Sequence, residues 1–303
     1  MSIIRDLAKN KYLYALAAPG FIFMIVFAYL PLWGHLIAFQ KFSIHKGLLG
    51  SPWVGFDNFK FFFQGDNWIK ITWNTVYLNG LFIVFGIGTA IVIALCLNEV
   101  RRAIPKKIVQ SFVFMPYFIS WLAVSMMVYI ILNSTTGLLN RLLGSLEIEP
   151  VSWYNEPLLW PFILTFIYVW KTSGYYSVIF LATIAGISGE YYESARIDGA
   201  TRLQQIRFIT LPLLRPVILV LVLLSVGRIF YGDFGMIYGI VGDNGNLFET
   251  TDVIDTYSYR ALRQLGNFGM SSAVVLYQSA MGLVAVFIFN SIAKKIDKDS
   301  ALF

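Results

Sequence analysis

Residues 74–97 read NTVYLNGLFIVFGIGTAIVIALCL, a stretch that contains no charged side chain. A helix of about 20 mostly apolar residues crosses the roughly 30 Å of hydrocarbon in a bilayer. The stretch is therefore long enough and apolar enough to predict a membrane-spanning helix.

The composition of the whole chain points the same way. Of its 303 residues 57% are hydrophobic and only 13% are charged, where a soluble domain carries about 25% charged residues. These charges are too few to cover a water-facing surface, which excludes an ordinary soluble enzyme and predicts an all-α polytopic membrane protein. We expect about six transmembrane helices in a single transmembrane domain, 1–303. The expected spans lie at about 12–39, 74–97, 108–132, 158–186, 213–238 and 270–292, and the longest inner loop is 188–212.

The basic residues predict the orientation of these spans. If the N-terminus lies in the cytoplasm, 14 of the 23 Lys and Arg residues fall on the inner face and seven on the outer face. Positive residues concentrate on the cytoplasmic side, and an even number of spans agrees with two cytoplasmic termini. The inner set comprises Arg5, Lys9, Lys11, Arg101, Arg102, Lys106, Lys107, Arg196, Arg202, Arg207, Arg215, Lys294, Lys295 and Lys298.

Several kinds of chemistry have no support in the sequence. The chain lacks the G-x-x-x-x-G-K-[ST] pattern of a phosphate-binding loop, and it lacks G-x-S-x-G and H-E-x-x-H. Its two histidines, His35 and His45, have no second ligand pair nearby. We therefore expect no catalytic site, cofactor or metal ion in this chain.

The inner loop between the fourth and fifth spans predicts two short helices. Ser188 is a suitable N-cap for a helix over 190–197, and Gly199 allows a turn at its end. Thr201 starts a second helix, with Gln204 three residues later as in a capping box. A compact helical pair of this kind, placed between two spans, is suited to receiving force.

The same loop carries a resemblance to a family. Glu193-Ser194-Ala195, followed by Gly199 and then by Ile209-x-Leu211-Pro212, resembles the EAA loop of ABC-importer permeases (E-A-A, three residues, G, nine residues, I-x-L-P). Ser194 stands where the family has Ala; because both side chains are small, close docking is still expected. Further stretches resemble the lipoprotein-dependent oligosaccharide and polysaccharide permeases: Ser51–Phe59, Leu97–Val100, Pro116–Trp121, Gly137–Gly144 and Asp252–Arg260.

The resemblance implies a fold and a coupling site. The fold would be the type I ABC importer permease fold, similar to the membrane subunits of the maltose importer, with a cytoplasmic EAA loop docked in a cleft of an ATPase subunit. Glu193 would pair with a basic group of the ATPase, Ser194 and Ala195 would allow close contact, and Gly199 would permit the turn. The implied coupling residues are Tyr191, Glu193, Ser194, Ala195, Asp198, Gly199, Ala200 and Leu203.

The resemblance also implies partners. This permease would pair with a second permease as a heterodimer and bind two ATPase subunits, which would use ATP and Mg²⁺. An extracellular solute-binding lipoprotein would deliver an oligosaccharide. The location would be the plasma membrane of a bacterium, with a lipid bilayer and no nucleic acid as partner. The chain would be a transport subunit rather than an enzyme.

The substrate path is predicted from ionisable residues inside spans, which are costly to bury and often functional. Lys171 and Arg228 each lie about 15 residues from the inner end of a span, or roughly 22 Å into the membrane. They would line a cavity for a sugar together with Trp170, Tyr175, Tyr231 and Asp233. Alternatively, Arg228 and Asp233 form a structural pair, and Lys171 meets a carboxylate or a backbone carbonyl of the partner.

Two other functions compete with the permease. A stand-alone secondary transporter or channel for a polar solute is disfavoured, since we find no inverted repeat and no paired carboxylates within the spans. A membrane anchor or scaffold is disfavoured by three long outer loops and by charges inside spans. Dependence on a partner ATPase separates the permease from both.

Overall fold

The computed structural model describes residues 9–100 and 102–296. Arg5, Arg101 and Lys298, which we expect on the inner face, lie outside these residues. The described part is built of helices: α1 (Lys11–Phe39), α2 (Asp57–Phe63), α3 (Asn67–Glu99), α4 (Ala103–Phe118), α5 (Trp121–Leu132), α6 (Leu138–Ser145), α7 (Trp160–Ala185), α8 (Gly189–Ile197), α9 (Arg202–Val226), α10 (Phe234–Val241), α11 (Ile254–Arg263) and α12 (Phe268–Ile296). They divide into two compact units, residues 9–65 with 258–277 and residues 66–257 with 278–296.

In the first unit, Asn58 fixes the end of α1. Its side-chain amide donates to the carbonyl oxygens of Ala38 and Gln40, both at 2.9 Å. The Phe39 ring stacks on Trp53 at a centroid distance of 5.6 Å. The Ser51–Phe59 stretch thus closes back on the helix that precedes it, through one amide and one aromatic pair.

In the second unit, α3 packs along α7. An added Cβ at Gly86 would lie 3.2 Å from the Tyr168 ring, and the rings of Phe82 and Tyr168 stack 4.7 Å apart. Gly86 therefore allows the close helix packing that small residues provide in membranes. Gly88 faces open space and has no such role.

Within the part of the chain that the structure describes, four helices are long and apolar enough to cross a membrane, namely α1, α3, α9 and α12. The pair α4 and α5 makes a fifth if it is counted as one span, although its two helices are bent by 97°. Helix α7 has 26 residues but is not in this set, in keeping with polar residues such as Lys171 and Ser173 along its length. The predicted count of six spans depends on α7 and stays a prediction.

The expected span 108–132 is two helices. A 3₁₀ turn at Met115–Phe118 tightens the end of α4. Ser120 then takes an extended conformation and caps α5, because its Oγ accepts the N–H of Ala123 at 3.2 Å. The run 108–132 is mostly apolar and contains no charged residue, so hydropathy alone did not indicate the break.

The expected span 213–238 also differs from the structure. Helix α9 begins earlier, at Arg202, and ends at Val226. A turn over 227–232 follows, and α10 begins at Phe234 with Asp233 as its N-cap; its Oδ1 accepts the N–H of Met236 at 3.1 Å. The chain therefore breaks its helix beside the charged residues that we predicted for the substrate path.

Candidate functional site

The first of the two short helices predicted in the inner loop is α8, whereas the second is the start of the long helix α9 and not a separate short helix; α8 and the start of α9 form a helical pair. Ser188 accepts the N–H of Glu190 and caps α8. At the other end Gly199 has φ +78°. Its N–H donates to the backbone carbonyl of Arg196, and the N–H of Ala200 donates to the backbone carbonyl of Ala195. These two bonds form a Schellman motif, in which glycine takes the left-handed position without strain. The predicted turn at Gly199 is confirmed.

The second half of the loop joins α9 directly. Thr201 and Gln204 form the predicted capping box. Gln205 donates to the carbonyl of Ala200 at 3.1 Å, and the hydroxyls of Tyr192 and Thr210 are 3.0 Å apart. The second contact ties α8 to the start of the long helix.

The predicted coupling residues lie mostly on the surface of this pair. Tyr191, Glu193, Ser194, Asp198, Gly199 and Leu203 are exposed, while Ala195 and Ala200 are half-buried. Sequence reasoning missed two apolar residues that are more exposed than Tyr191: Ile197, at 87%, and Phe208, at 68%. The available signal for Ile197 was a large apolar side chain between two charged ones, Arg196 and Asp198, whereas Phe208 lies next to Ile209 and gave no such signal.

A cavity of about 320 Å³ lies between this pair and the inner end of α3. Glu193 and Glu99 line it together with Arg196 and Arg202. The face that is expected to meet a partner thus contains carboxylates and guanidinium groups within one recess.

A second cavity, of about 380 Å³, lies where α9 breaks; we call it the central cavity. It is lined by three of the residues predicted for the substrate path: Arg228, Tyr231 and Asp233. Sequence reasoning missed Asn79, Tyr168 and Tyr176, which also line it. The two tyrosines are eight residues apart on α7 and so share one helical face, which was the available signal.

The turn that carries Arg228 is held by polar side chains from other helices. Asn79 donates to the carbonyl of Ile229 at 3.0 Å, and Gln278 donates to that of Phe230 at 2.7 Å. The Asp255 carboxylate accepts the N–H of Gly232 at 2.6 Å and the amide of Gln278 at 2.9 Å. Burial raises the pKa of the Asp255 carboxyl above its usual range, while these two hydrogen bonds act in the opposite direction.

Lys171 is not among the residues that line the central cavity. It is 7% exposed, and its ammonium donates to the carbonyl oxygens of Ile119 at 2.6 Å, Tyr117 at 2.7 Å and Pro116 at 3.4 Å. The alternative prediction paired Lys171 with a carboxylate or a backbone carbonyl of a partner. The structure pairs it with backbone carbonyls, but these belong to the same chain.

The two remaining predicted residues do not line the cavity either. Tyr175 stacks on Tyr117, with ring centroids 4.4 Å apart, and Trp170 is 37% exposed. Within residues 9–100 and 102–296, no three His, Cys, Asp or Glu side chains are grouped so as to hold a metal ion.

Helices long enough to span a membrane, a helical pair between α7 and the long part of α9, and a polar cavity at a helix break agree with a transport subunit. The family model described as "Binding-protein-dependent transport system inner membrane component" matches residues 83–298, and the chain belongs to this family. It is accordingly the permease subunit of an ABC importer, an inner-membrane protein without an ATPase domain of its own.

Two relatives in Bacillus subtilis (strain 168) are similar over nearly the whole chain. Protein LplB is 36% identical over 99% of this chain and 93% of its own length. The polygalacturonan/rhamnogalacturonan transport system permease protein YteP is 35% identical over 98% of this chain and 92% of its own length.

Two solved structures are also similar. One is a crystal structure of a bacterial ABC transporter involved in the import of the acidic polysaccharide alginate, with TM-score 0.89 and 34% identity over 97% of this chain and 99% of that one. The other is of the bacterial alginate ABC transporter in complex with an alginate pentasaccharide-bound periplasmic protein, with TM-score 0.88 and 33% identity over 98% of each chain. With the family match, they establish the type I importer permease fold.

Proposed function

We propose that this chain forms half of the membrane pathway of an importer for acidic oligosaccharides. A second permease would supply the other half in a heterodimer. Two ATPase subunits would bind the helical pairs and use ATP and Mg²⁺. An extracellular lipoprotein would deliver the sugar, and both termini would lie in the cytoplasm of a bacterium.

The central cavity is the observation that carries the proposed substrate class. Tyrosine rings offer apolar faces and hydroxyls that suit a sugar, and the Arg228 guanidinium suits a carboxylate. Support comes from the relatives, because alginate and polygalacturonan are both acidic polysaccharides. Arg228, Tyr231 and Asp233 are therefore proposed as substrate-path residues.

The helical pair carries the proposed coupling to ATP. Glu193 is exposed on α8, and Gly199 fixes the turn that presents this face. We assign the docking contact to Glu193, with Ser194 and Ala195 allowing close approach and Tyr191, Asp198, Ala200 and Leu203 bordering it.

Uptake into proteoliposomes tests both parts. The complete complex, with its binding protein outside and ATP inside, is given a radiolabelled oligouronate. Glu193→Ala should lower ATP-dependent uptake about tenfold or more, because it removes one partner of a charged contact at an interface. Glu190→Ala is the matched control, since Glu190 is an exposed carboxylate one turn earlier on α8, and it should keep uptake near wild type.

The binding protein's own affinity for the sugar must stay unchanged in this comparison. Uptake that needs neither ATP nor Glu193 would contradict the proposal and favour a stand-alone secondary transporter.

A further inference from the structure

Lys171 is a buried cation that the proposed function does not use. We propose that it is a positioning residue of the permease. Its ammonium holds the break between α4 and α5 and, through Trp121, fixes Asp233 in the wall of the central cavity. The inference rests on the proposed function only where the central cavity is taken as the sugar path.

The first step of the argument is the chemistry of the break. The last carbonyls of a helix have no partner within that helix, and a cation near this end is stabilising. Helix α4 ends at Phe118, and the Lys171 ammonium binds three carbonyls at this end, those of Pro116, Tyr117 and Ile119. A lysine ammonium has three donors, and all three are used here. None is left for a sugar, so Lys171 acts on the backbone and not on the substrate.

The second step is the close approach of α7 to α4. An added Cβ at Gly174 would lie 2.0 Å from the carbonyl oxygen of Val113. Gly174 is one helical turn from Lys171, on the same face of α7. Lys171 therefore binds the end of α4, and Gly174, one turn later on α7, allows the two helices to approach closely.

The third step connects the break to the cavity. The Lys171 ammonium lies 5.0 Å from the centre of the Trp121 ring, within the range of a cation–π contact. The Trp121 ring also packs against the first turn of α10, since an added Cβ at Gly235 would lie 3.3 Å from Trp121 Cδ1 and 3.6 Å from Asp233 Oδ1. Asp233 in turn caps α10 and lines the central cavity. A chain of contacts thus runs from Lys171 on α7, through the break between α4 and α5, to Asp233 at the start of α10.

The test measures the sugar transported per ATP hydrolysed in the reconstituted complex. A loss of folded protein lowers transport and hydrolysis together and leaves this ratio unchanged, whereas a displaced cavity wall lowers the ratio. We expect Lys171→Met to lower it about tenfold, the effect of losing roughly one hydrogen bond to a charged group. Lys171→Arg keeps a cation with several donors and should restore it to within about twofold of wild type.

Two further variants complete the comparison. Trp121→Phe keeps a ring beside Lys171 but is smaller than the indole that packs at Gly235 on the first turn of α10, so it should lower the ratio in a complex that assembles normally. Thr165→Val is the matched control: Thr165 is also buried on α7, but its hydroxyl bonds Pro161 of its own helix, and the ratio should be unchanged. If the Lys171→Met complex does not assemble, the sugar transported per ATP by the Trp121→Phe complex tests the proposal instead.

A measurement without sugar separates this inference from the proposed function. In a Cys96→Ser background, cysteines at Ser125 and Gly239 would have Cβ atoms about 3.6 Å apart, which suits a disulfide. The pair reports the register of α5 against α10. Lys171→Met and Trp121→Phe should each slow oxidative crosslinking severalfold, and Thr165→Val should not.

The outcomes are distinct. If the wild-type complex takes up no acidic oligosaccharide but crosslinking depends on Lys171, the proposed function fails and the positioning role stands. If transport per ATP and crosslinking are both unchanged in Lys171→Met, or in Trp121→Phe where the first variant does not assemble, the positioning role is overturned.

Discussion

At the scale of single residues, Asp255 shows how a partly buried carboxylate supports a break in a span. One of its oxygens accepts both the N–H of Gly232 and the amide of Gln278. Burial raises the pKa of this carboxyl, so the folded protein binds its proton more tightly than the unfolded chain. Stability from this group is therefore greatest at low pH and falls as pH rises from the unfolded pKa of about 3.9 towards the raised value.

Asp255→Asn should remove this fall in stability with rising pH. Its amide oxygen can accept both hydrogen bonds, and it carries no charge to bury. We expect the apparent melting temperature of the variant in detergent, relative to that of wild type, to increase as pH rises above about 4. Glu149→Gln, at an exposed carboxylate, is the control and should show no such trend. A constant difference between Asp255→Asn and wild type at all pH values would contradict the assignment.

At the scale of elements, the α8–α9 pair and the α4–α5 break differ in how far sequence could predict them. The pair was predicted because its caps are local: Ser188, Gly199 and Thr201 act within five residues of themselves. The α4–α5 break was missed because its carbonyls are satisfied by Lys171, which lies 52 to 55 positions away in the chain.

Gly199→Ala tests the helical pair. A side chain at φ +78° is strained, and the change should destabilise the turn by about 1 kcal/mol. We expect weaker recovery of the ATPase with the affinity-tagged permease and lower sugar-stimulated ATP hydrolysis. Gly189→Ala is the matched control, because an added Cβ there meets open space. Equal ATPase recovery from both variants would argue against a docking role for the turn.

At the scale of the whole molecule, apolar stretches predicted the helices but not their breaks. Residues 213–238 read as one span, yet the chain leaves the helix at Gly227 because Asn79, Gln278 and Asp255 satisfy the freed backbone groups from other helices. Such partners are distant in the sequence, so the lining of the central cavity could be predicted only in part. Arg228 and Asp233 were predicted from their charge and position and Tyr231 as an aromatic residue beside them, whereas Asn79 was not predicted.

Arg228→Met tests the charge of the pathway. Removing the guanidinium should raise the half-saturating concentration for an acidic oligosaccharide about tenfold and change that for a neutral one of equal length much less. Arg215→Met is the control, because Arg215 is exposed on α9, the helix that leads into the turn of Arg228, but does not line the central cavity. An equal rise in the half-saturating concentration for both sugars would contradict the proposed role of Arg228 in selecting acidic sugars.

Helix α9 also has a mechanical consequence. It runs from Arg202, in the inner helical pair, through a π-helical turn over Ile206–Thr210 to Val226, beside the central cavity. Its 25 residues make a rod of about 37 Å. A tilt of about 5° around the inner end of such a rod would swing its other end by about 3 Å, roughly the width of a water molecule. The helix is therefore a lever: a small rotation of its inner end is enough to widen or narrow a passage at the other.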